Sequence, residues 1–152
     1  MSVTLILEDA KWRKLRLQGV LKRAVKLAFR ETARTGSLTI LLADDARLHA
    51  LNLAFRGKDQ PTNVLSFPAG AGGGAYLGDI AIAYGVTGRE AVATDKTVAE
   101  HAAHLAVHGV LHLLGFDHIE PHDAELMEKT ETAILAKLGI SDPYVIASAG
   151  KL

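Results

Sequence analysis

Three histidines towards the end of an apolar segment constrain the fold of this chain more than any other feature. His108 and His112 are four residues apart, and His118 follows after a further six. On a helix, residues i and i+4 lie one turn apart on the same face, so these two imidazoles can reach one metal ion. Gly115 allows the chain to turn back after the helix, which would bring His118 round as a third ligand. Three nitrogen ligands and an open fourth position are typical of a catalytic zinc site.

This histidine spacing is also that of the extended zinc-peptidase signature HExxHxxGxxH. In this chain, however, Gly109 stands where those enzymes have the glutamate that acts as general base. The alternative is that the histidines form separate hydrogen bonds, but the triple, with glycine at the bend and Asp117 before the last histidine, favours metal binding. Zinc suits an all-imidazole site best, and nickel, copper and iron stay open.

The same helix carries two further histidines. We interpret His101 and His104 first as ordinary helix residues, although His104 could contact substrate or orient a metal ligand. Asp117 would orient an imidazole or cap the following helix, and a role as a base is less favoured.

Composition limits the classes of protein that need to be considered. A chain of 152 residues is long enough for one domain with a core, and we predict a single domain over 1–152 with a loose tail after about 144. The absence of cysteine excludes disulfides and thiolate ligands and agrees with a reducing compartment. No stretch has the length of a signal-peptide core or a membrane span, so we expect a cytoplasmic protein without a membrane partner.

Charge is unevenly distributed although the net charge is zero. Residues 1–60 carry 12 Lys and Arg against 6 Asp and Glu, and residues 61–152 carry 5 against 11, so the two parts have charges of +6 and −6. A basic helix near the N-terminus could attract nucleic acid. On charge alone, a solvated helix face is the better interpretation.

Hydrophobic periodicity and turn residues predict an α+β fold. The glycine tract at 70–74 superficially resembles a dinucleotide-binding loop, but the segment after it reads as a strand, so we predict a flexible hairpin connection. We expect one mixed sheet of about four strands packed against helices, with the metal site on a helix and the turn after it. The predicted strands are 3–7, 37–43, 64–67 and 76–83, and the predicted helices are 12–33, 45–55, 85–95, 98–114 and 121–138.

Three blocks of the chain resemble the signature sequences of the YbeY family, which are bacterial metal-dependent endoribonucleases of rRNA maturation. The blocks are NLAFRGKDQPTNVLSFP at 52–68, LGDI at 77–80 and HLAVHGVLHLLGFDH at 104–118, and the resemblance extends over about 37–138. It implies that His108, His112 and His118 bind one zinc ion and that Arg56 lies in the catalytic cleft. The family often has tyrosine at the position of Phe116 and either Asp or Asn at that of Asn63. The glycine tract is an unusual connection for the family.

The resemblance implies a single-strand-specific endoribonuclease that processes the 3′ end of 16S rRNA and takes part in ribosome quality control. Its partners would be an rRNA precursor and the ribosome or small-subunit proteins. The chemistry agrees, because zinc lowers the pKa of bound water to about 7 and a guanidinium such as Arg56 can hold two phosphate oxygens. The sequence leaves open whether the nucleophile is that hydroxide or the RNA 2′-OH. Ser66 and Asn63 would bind phosphate or water or else cap the loop, and Asp79 is better explained as structural.

Two other functions would use the same histidines. One is a zinc peptidase or amidohydrolase, in which another carboxylate would have to replace the missing glutamate. The other is a ribosome-associated binding factor whose metal only stabilises the fold.

Overall fold

The computed structural model of the protein describes residues 1–117 and 119–143, and this part of the chain forms four strands and six α-helices. A short 3₁₀ turn, Ala71–Gly73, lies between the last two strands. The strands are β1 (Ser2–Leu7), β2 (Ser37–Ala43), β3 (Val64–Pro68) and β4 (Tyr76–Ala83). The helices are α1 (Ala10–Leu15), α2 (Gln18–Thr32), α3 (Asp45–Arg56), α4 (Tyr84–Ala93), α5 (Val98–Leu113) and α6 (Pro121–Lys137).

The strands form one mixed sheet in the order β1-β2-β4-β3. The β1–β2 and β2–β4 pairs are parallel, and β3 and β4 form the antiparallel hairpin predicted across the glycine tract. The predicted α+β class with a mixed four-stranded sheet is confirmed. The predicted loose tail after about 144 lies outside the described residues, and the extent of the domain to residue 152 stays a prediction.

Side chains alternate along each strand, so the sheet has two faces. Helices cover these two faces to different degrees. One face packs against α1, α2 and α5, with α6 packed on α2 and α5, and forms the larger core, which includes Leu38, Ile40, Ile80 and Ile82. The other face packs against α3 and α4 in a smaller core around Leu48, Leu65 and Ala81. Thr39 and Asp79 belong to this second face but line a cleft. The cleft therefore lies where the smaller core stops.

The prediction of one helix over 12–33 is wrong, because the chain forms α1 and α2 with a break at Arg16, which has a φ of 52°. Trp12 and Leu17 are both buried. Residues five apart on an unbroken helix point about 140° away from each other, so the break lets both side chains reach the core. The Trp12 indole Nε1 also donates a hydrogen bond to the Ala43 carbonyl oxygen at 2.8 Å.

Helix α5 begins with the capping box that the sequence predicts. Thr97 Oγ1 accepts a hydrogen bond from the Glu100 backbone N–H at 3.1 Å, and the Glu100 carboxylate accepts one from the Thr97 N–H at 2.9 Å. The helix packs against α2, α4, α6 and the sheet. None of the helices in the described ranges combines the length and the apolar character needed to cross a membrane.

Candidate active site

A cleft of about 1460 Å³ contains three of the four residues that the sequence predicts for the site. Arg56 reaches it from the last turn of α3, and His108 and His112 reach it from the C-terminal half of α5. Residues of both faces of the edge strand β3 line it, namely Ser66 and Phe67. The fourth residue, His118, lies outside the described residues, and within 1–117 and 119–143 no group of three candidate ligands could hold a metal ion.

The two imidazoles point towards each other through their Nε2 atoms, which are 3.0 Å apart. His112 Nδ1 lies 3.1 Å from the Phe116 carbonyl oxygen, and His108 Nδ1 lies 2.8 Å from Glu131 Oε2. A carbonyl and a carboxylate accept hydrogen bonds, so in both rings the proton belongs on Nδ1 and the lone pair of the neutral ring on Nε2. Two lone pairs directed at one point form the arrangement of two ligands of one cation, so the residues present fit a metal with a preference for nitrogen.

Sequence reasoning missed Glu131, the carboxylate that orients His108. Its side chain is 0% exposed, and its other oxygen, Oε1, lies 2.7 Å from His104 Nε2. A buried carboxylate without hydrogen-bond partners would cost several kcal/mol, so the two imidazoles make its burial possible. The available signal was that Glu131 continues the buried stripe of α6, one turn after Met127. Of the interpretations offered for His104, the structure favours the one in which it helps to orient a predicted ligand.

A second network starts at His101, which is buried at 8% exposure. Its Nε2 lies 2.8 Å from Glu90 Oε1 on α4, and the same carboxylate oxygen accepts a hydrogen bond from Asn63 Nδ2 at 3.0 Å. The Asn63 Oδ1 accepts the backbone N–H of Val64 at 2.7 Å. Although Asn63 lines the cleft, its amide therefore holds the start of β3, which favours the loop-capping interpretation over phosphate binding.

The other polar residues of the cleft have local partners. Ser66 Oγ donates to the Gly109 carbonyl oxygen at 3.3 Å and ties β3 to α5. Asp117 Oδ1 accepts a hydrogen bond from the backbone N–H of Ile119 at 3.1 Å. The N-cap of α6 is Glu120 and has no side-chain cap, so Asp117 does not cap this helix as predicted. Asp79 accepts a hydrogen bond from the Tyr76 hydroxyl. Burial and this carboxylate raise the pKa of Tyr76 above its ordinary value of 10.0.

Gly109 has a packing role that explains the missing glutamate. A Cβ atom at this position would lie 2.9 Å from Cγ2 of Ile80, which is fully buried in β4. Position 109 therefore faces the sheet at close range and not the cleft, and a glutamate side chain would displace the core. The base of the zinc peptidases has no place at this position.

The fold and the site together define an α+β protein with a helix-borne histidine pair in a cleft that an arginine also lines. Residues 4–139 match the sequence model of the family described as Endoribonuclease YbeY, and the chain belongs to this family. This confirms the resemblance seen in the three sequence blocks.

Curated relatives cover most of the chain. The endoribonuclease YbeY of Paracoccus denitrificans is 46% identical, and the match covers 94% of this chain and 90% of that protein. The protein of the same name from Maricaulis maris is 47% identical over 94% of this chain and 91% of its own length. The solution structure of a Thermotoga maritima protein matches with a TM-score of 0.63 and 25% identity, over 88% of this chain and 86% of that one. The fold is therefore that of a solved structure.

Proposed function

We propose that this chain is a metal-dependent endoribonuclease that cuts single-stranded RNA in rRNA maturation, at the 3′ end of 16S rRNA, and in ribosome quality control. The observation that carries the proposal is the 3.0 Å approach of the His108 and His112 Nε2 atoms in a cleft that Arg56 also lines. The relatives named endoribonuclease YbeY support the activity. We further propose that the protein is cytoplasmic and acts on an rRNA precursor together with the ribosome or small-subunit proteins.

The cofactor that we propose is one zinc ion per chain, held by His108, His112 and His118. Imidazole nitrogens suit Zn²⁺ better than Mg²⁺ or Ca²⁺, which prefer oxygen ligands. When bound, zinc would supply a Lewis acid and lower the pKa of water to about 7. Glu131 and the Phe116 carbonyl contribute by holding the Nδ1 protons, so that both Nε2 atoms keep their lone pairs for the metal.

Arg56 would bind the phosphate at which the chain is cut. Arg56 is the last residue of α3, and its side chain is exposed. The N–H donors of its guanidinium form a planar fork that matches two phosphate oxygens. Negative charge increases on these oxygens in the transition state, so Arg56 would stabilise the transition state more than the bound substrate. Replacing the 2′-OH beside the scissile phosphate by hydrogen distinguishes the two possible nucleophiles, because only attack by water survives that change.

The peptidase alternative needs a carboxylate elsewhere in the cleft, because the close approach of Gly109 to Ile80 leaves no room for a glutamate at position 109. The carboxylates that line the cleft in the described residues are Glu8, Asp79 and Asp117, and each has a partner in Arg47, Tyr76 or the Ile119 N–H. The binding-factor alternative makes a separate prediction. In that case, metal-free protein that stays folded would still bind ribosomes and support rRNA maturation.

The test is to measure metal content and cleavage on the same samples of wild type, His112→Ala and Arg56→Ala. We expect about one zinc per chain in wild type, loss of zinc and cleavage in His112→Ala, and retained zinc with cleavage reduced about 10²- to 10³-fold in Arg56→Ala. His49→Ala is the matched control, since His49 is a partly exposed residue of α3 that pairs with Asp59 and does not line the cleft. Equal RNA cleavage by wild type and Arg56→Ala would remove Arg56 from the mechanism. Cleavage of a peptide library and not of RNA would favour the peptidase.

A further inference from the structure

Phe55 presents a large aromatic ring to solvent at the edge of the cleft. It is 69% exposed and is the most exposed aromatic residue of the described chain. Leu48, Leu51 and Phe55 follow one another along one side of α3, but only the two leucines pack into the smaller core. Phe55 continues this apolar stripe beyond the point where the core ends and lines the cleft. Phe55 therefore offers an apolar ring to whatever occupies the cleft.

Phe67 holds the Phe55 ring in a defined orientation. The two ring centroids are 5.3 Å apart, and the ring planes meet at 67°. Phe67 lies in β3 and is itself packed against the smaller core. In an edge-to-face pair, each ring can cover at most one face of the other. One face of Phe55 is thus left for another planar group.

The aromatic pair is next to the residues of the proposed chemistry. Arg56 follows Phe55 directly in the chain. Phe55 and Phe67 line the same cleft as Arg56, His108 and His112. The end of α3, the edge strand β3 and the C-terminal half of α5 therefore all contribute to one cleft.

The charges of the cleft show why a stacking contact matters for RNA. Its described lining contains two basic side chains and three acidic ones, namely Arg47, Arg56, Glu8, Asp79 and Asp117. Arg47 is already paired with Glu8 at 3.5 Å. Phosphate attraction is weak within such a cleft, so uncharged contacts gain importance for how the strand is held there.

We propose that Phe55, supported by Phe67, is a stacking surface for one unpaired nucleobase beside the phosphate that Arg56 holds. This inference rests on the proposed function. An unpaired base offers its flat face, whereas a base inside a duplex is stacked on its neighbours, so the contact selects single strands. Stacking makes no hydrogen bonds to base edges, so the site discriminates little among the four bases.

The experiment compares wild type, Phe55→Ala, Phe55→Tyr and Val92→Ala, all loaded with zinc, on a labelled single-stranded RNA and on versions with an abasic nucleotide at each position around the cut. We expect Phe55→Ala to raise KM roughly 5- to 150-fold with a smaller change in kcat, while Phe55→Tyr stays near wild type. Val92 is 82% exposed on α4, away from the cleft, and serves as the matched control. At one position, removal of the base should raise the KM of wild type by a similar factor and leave that of Phe55→Ala unchanged.

An unchanged KM in Phe55→Ala, or independent and additive effects of the mutation and of base removal, would overturn the stacking site. If wild type does not cut RNA, the proposed function has failed, and fluorescence anisotropy with the same oligonucleotides then decides the stacking site separately. Equal affinity of wild type and Phe55→Ala for the intact strand, or no binding by either, would overturn it. Circular dichroism confirms that each variant is folded.

Discussion

Helix α5 carries two networks in which a histidine meets a carboxylate from a neighbouring helix, and the two differ in what the carboxylate holds. Glu131 is fully buried and lies 2.8 Å from His108 Nδ1 and 2.7 Å from His104 Nε2. Glu90 is 38% exposed and joins His101 to the amide of Asn63. The buried carboxylate, which is bonded to two imidazoles, orients a predicted metal ligand. The partly exposed carboxylate, which is bonded to one imidazole and one amide, holds a loop in place.

The largest effect that tests this comparison is expected for Glu131→Ala. This change removes the acceptor of two imidazoles, so His108 loses the partner that sets its tautomer. Metal affinity should fall about 10- to 100-fold, measured by competition with a chelator. Glu131→Gln keeps the size and one acceptor oxygen and should lie between alanine and wild type. Equal zinc affinity in all three proteins would show that Glu131 only fills space.

Gly109→Ala should have the next largest effect and should disturb both networks, since both depend on the position of α5. A Cβ atom 2.9 Å from Ile80 Cγ2 forces the helix or the strand to move. We expect a loss of about 1–3 kcal/mol in the free energy of unfolding, measured with urea. Adding Ile80→Val in the same chain removes Cδ1, which would lie 3.0 Å from the new Cβ, and should restore part of the loss. Unchanged stability of Gly109→Ala would contradict the close approach of α5 to the sheet.

Glu90→Gln should have a smaller effect, confined to stability. It weakens one hydrogen bond to His101 at a partly exposed position, so the free energy of unfolding should fall by about 0.5–1.5 kcal/mol. Zinc affinity should equal that of wild type. If the affinity fell as far as in Glu131→Ala, the two networks would act as one unit and the distinction drawn between them would be wrong.

The smallest effect is expected at Tyr76, outside both networks. Because the pKa of Tyr76 is raised in the folded protein, folding favours the neutral phenol. Its contribution to stability is therefore present below pH 10 and is lost as the pH rises through the folded pKa. Urea unfolding of wild type and Tyr76→Phe between pH 8 and 11 checks this. The wild type should lose more stability above pH 10, and parallel curves would contradict it.

The local parts of the site were predictable from sequence, and the long-range parts were not. The helical spacing of His108 and His112 and the capping box at Thr97 depend on neighbours within four residues, and both appear in the structure. Glu131 is 23 residues from His108 and joins it only because α6 packs on α5. The close approach of Gly109 to Ile80 likewise depends on how α5 docks on the sheet. The break at Arg16 escaped prediction because the local pattern favours helix on both sides of it.

The buried indole of Trp12 has a practical consequence for all these comparisons. It is the one tryptophan of the chain, it is bonded to the carbonyl oxygen of Ala43 at the end of β2, and its ring meets that of Tyr84 edge-on at 5.3 Å. Ala43 lies just before α3, the helix that ends in Arg56. Intrinsic fluorescence at this position is therefore a built-in reporter of whether the scaffold under Arg56 is assembled. A variant that loses activity with unchanged Trp12 emission keeps the contacts of Trp12 with Ala43 and Tyr84, so its loss of activity has its cause in the site and not in this part of the fold.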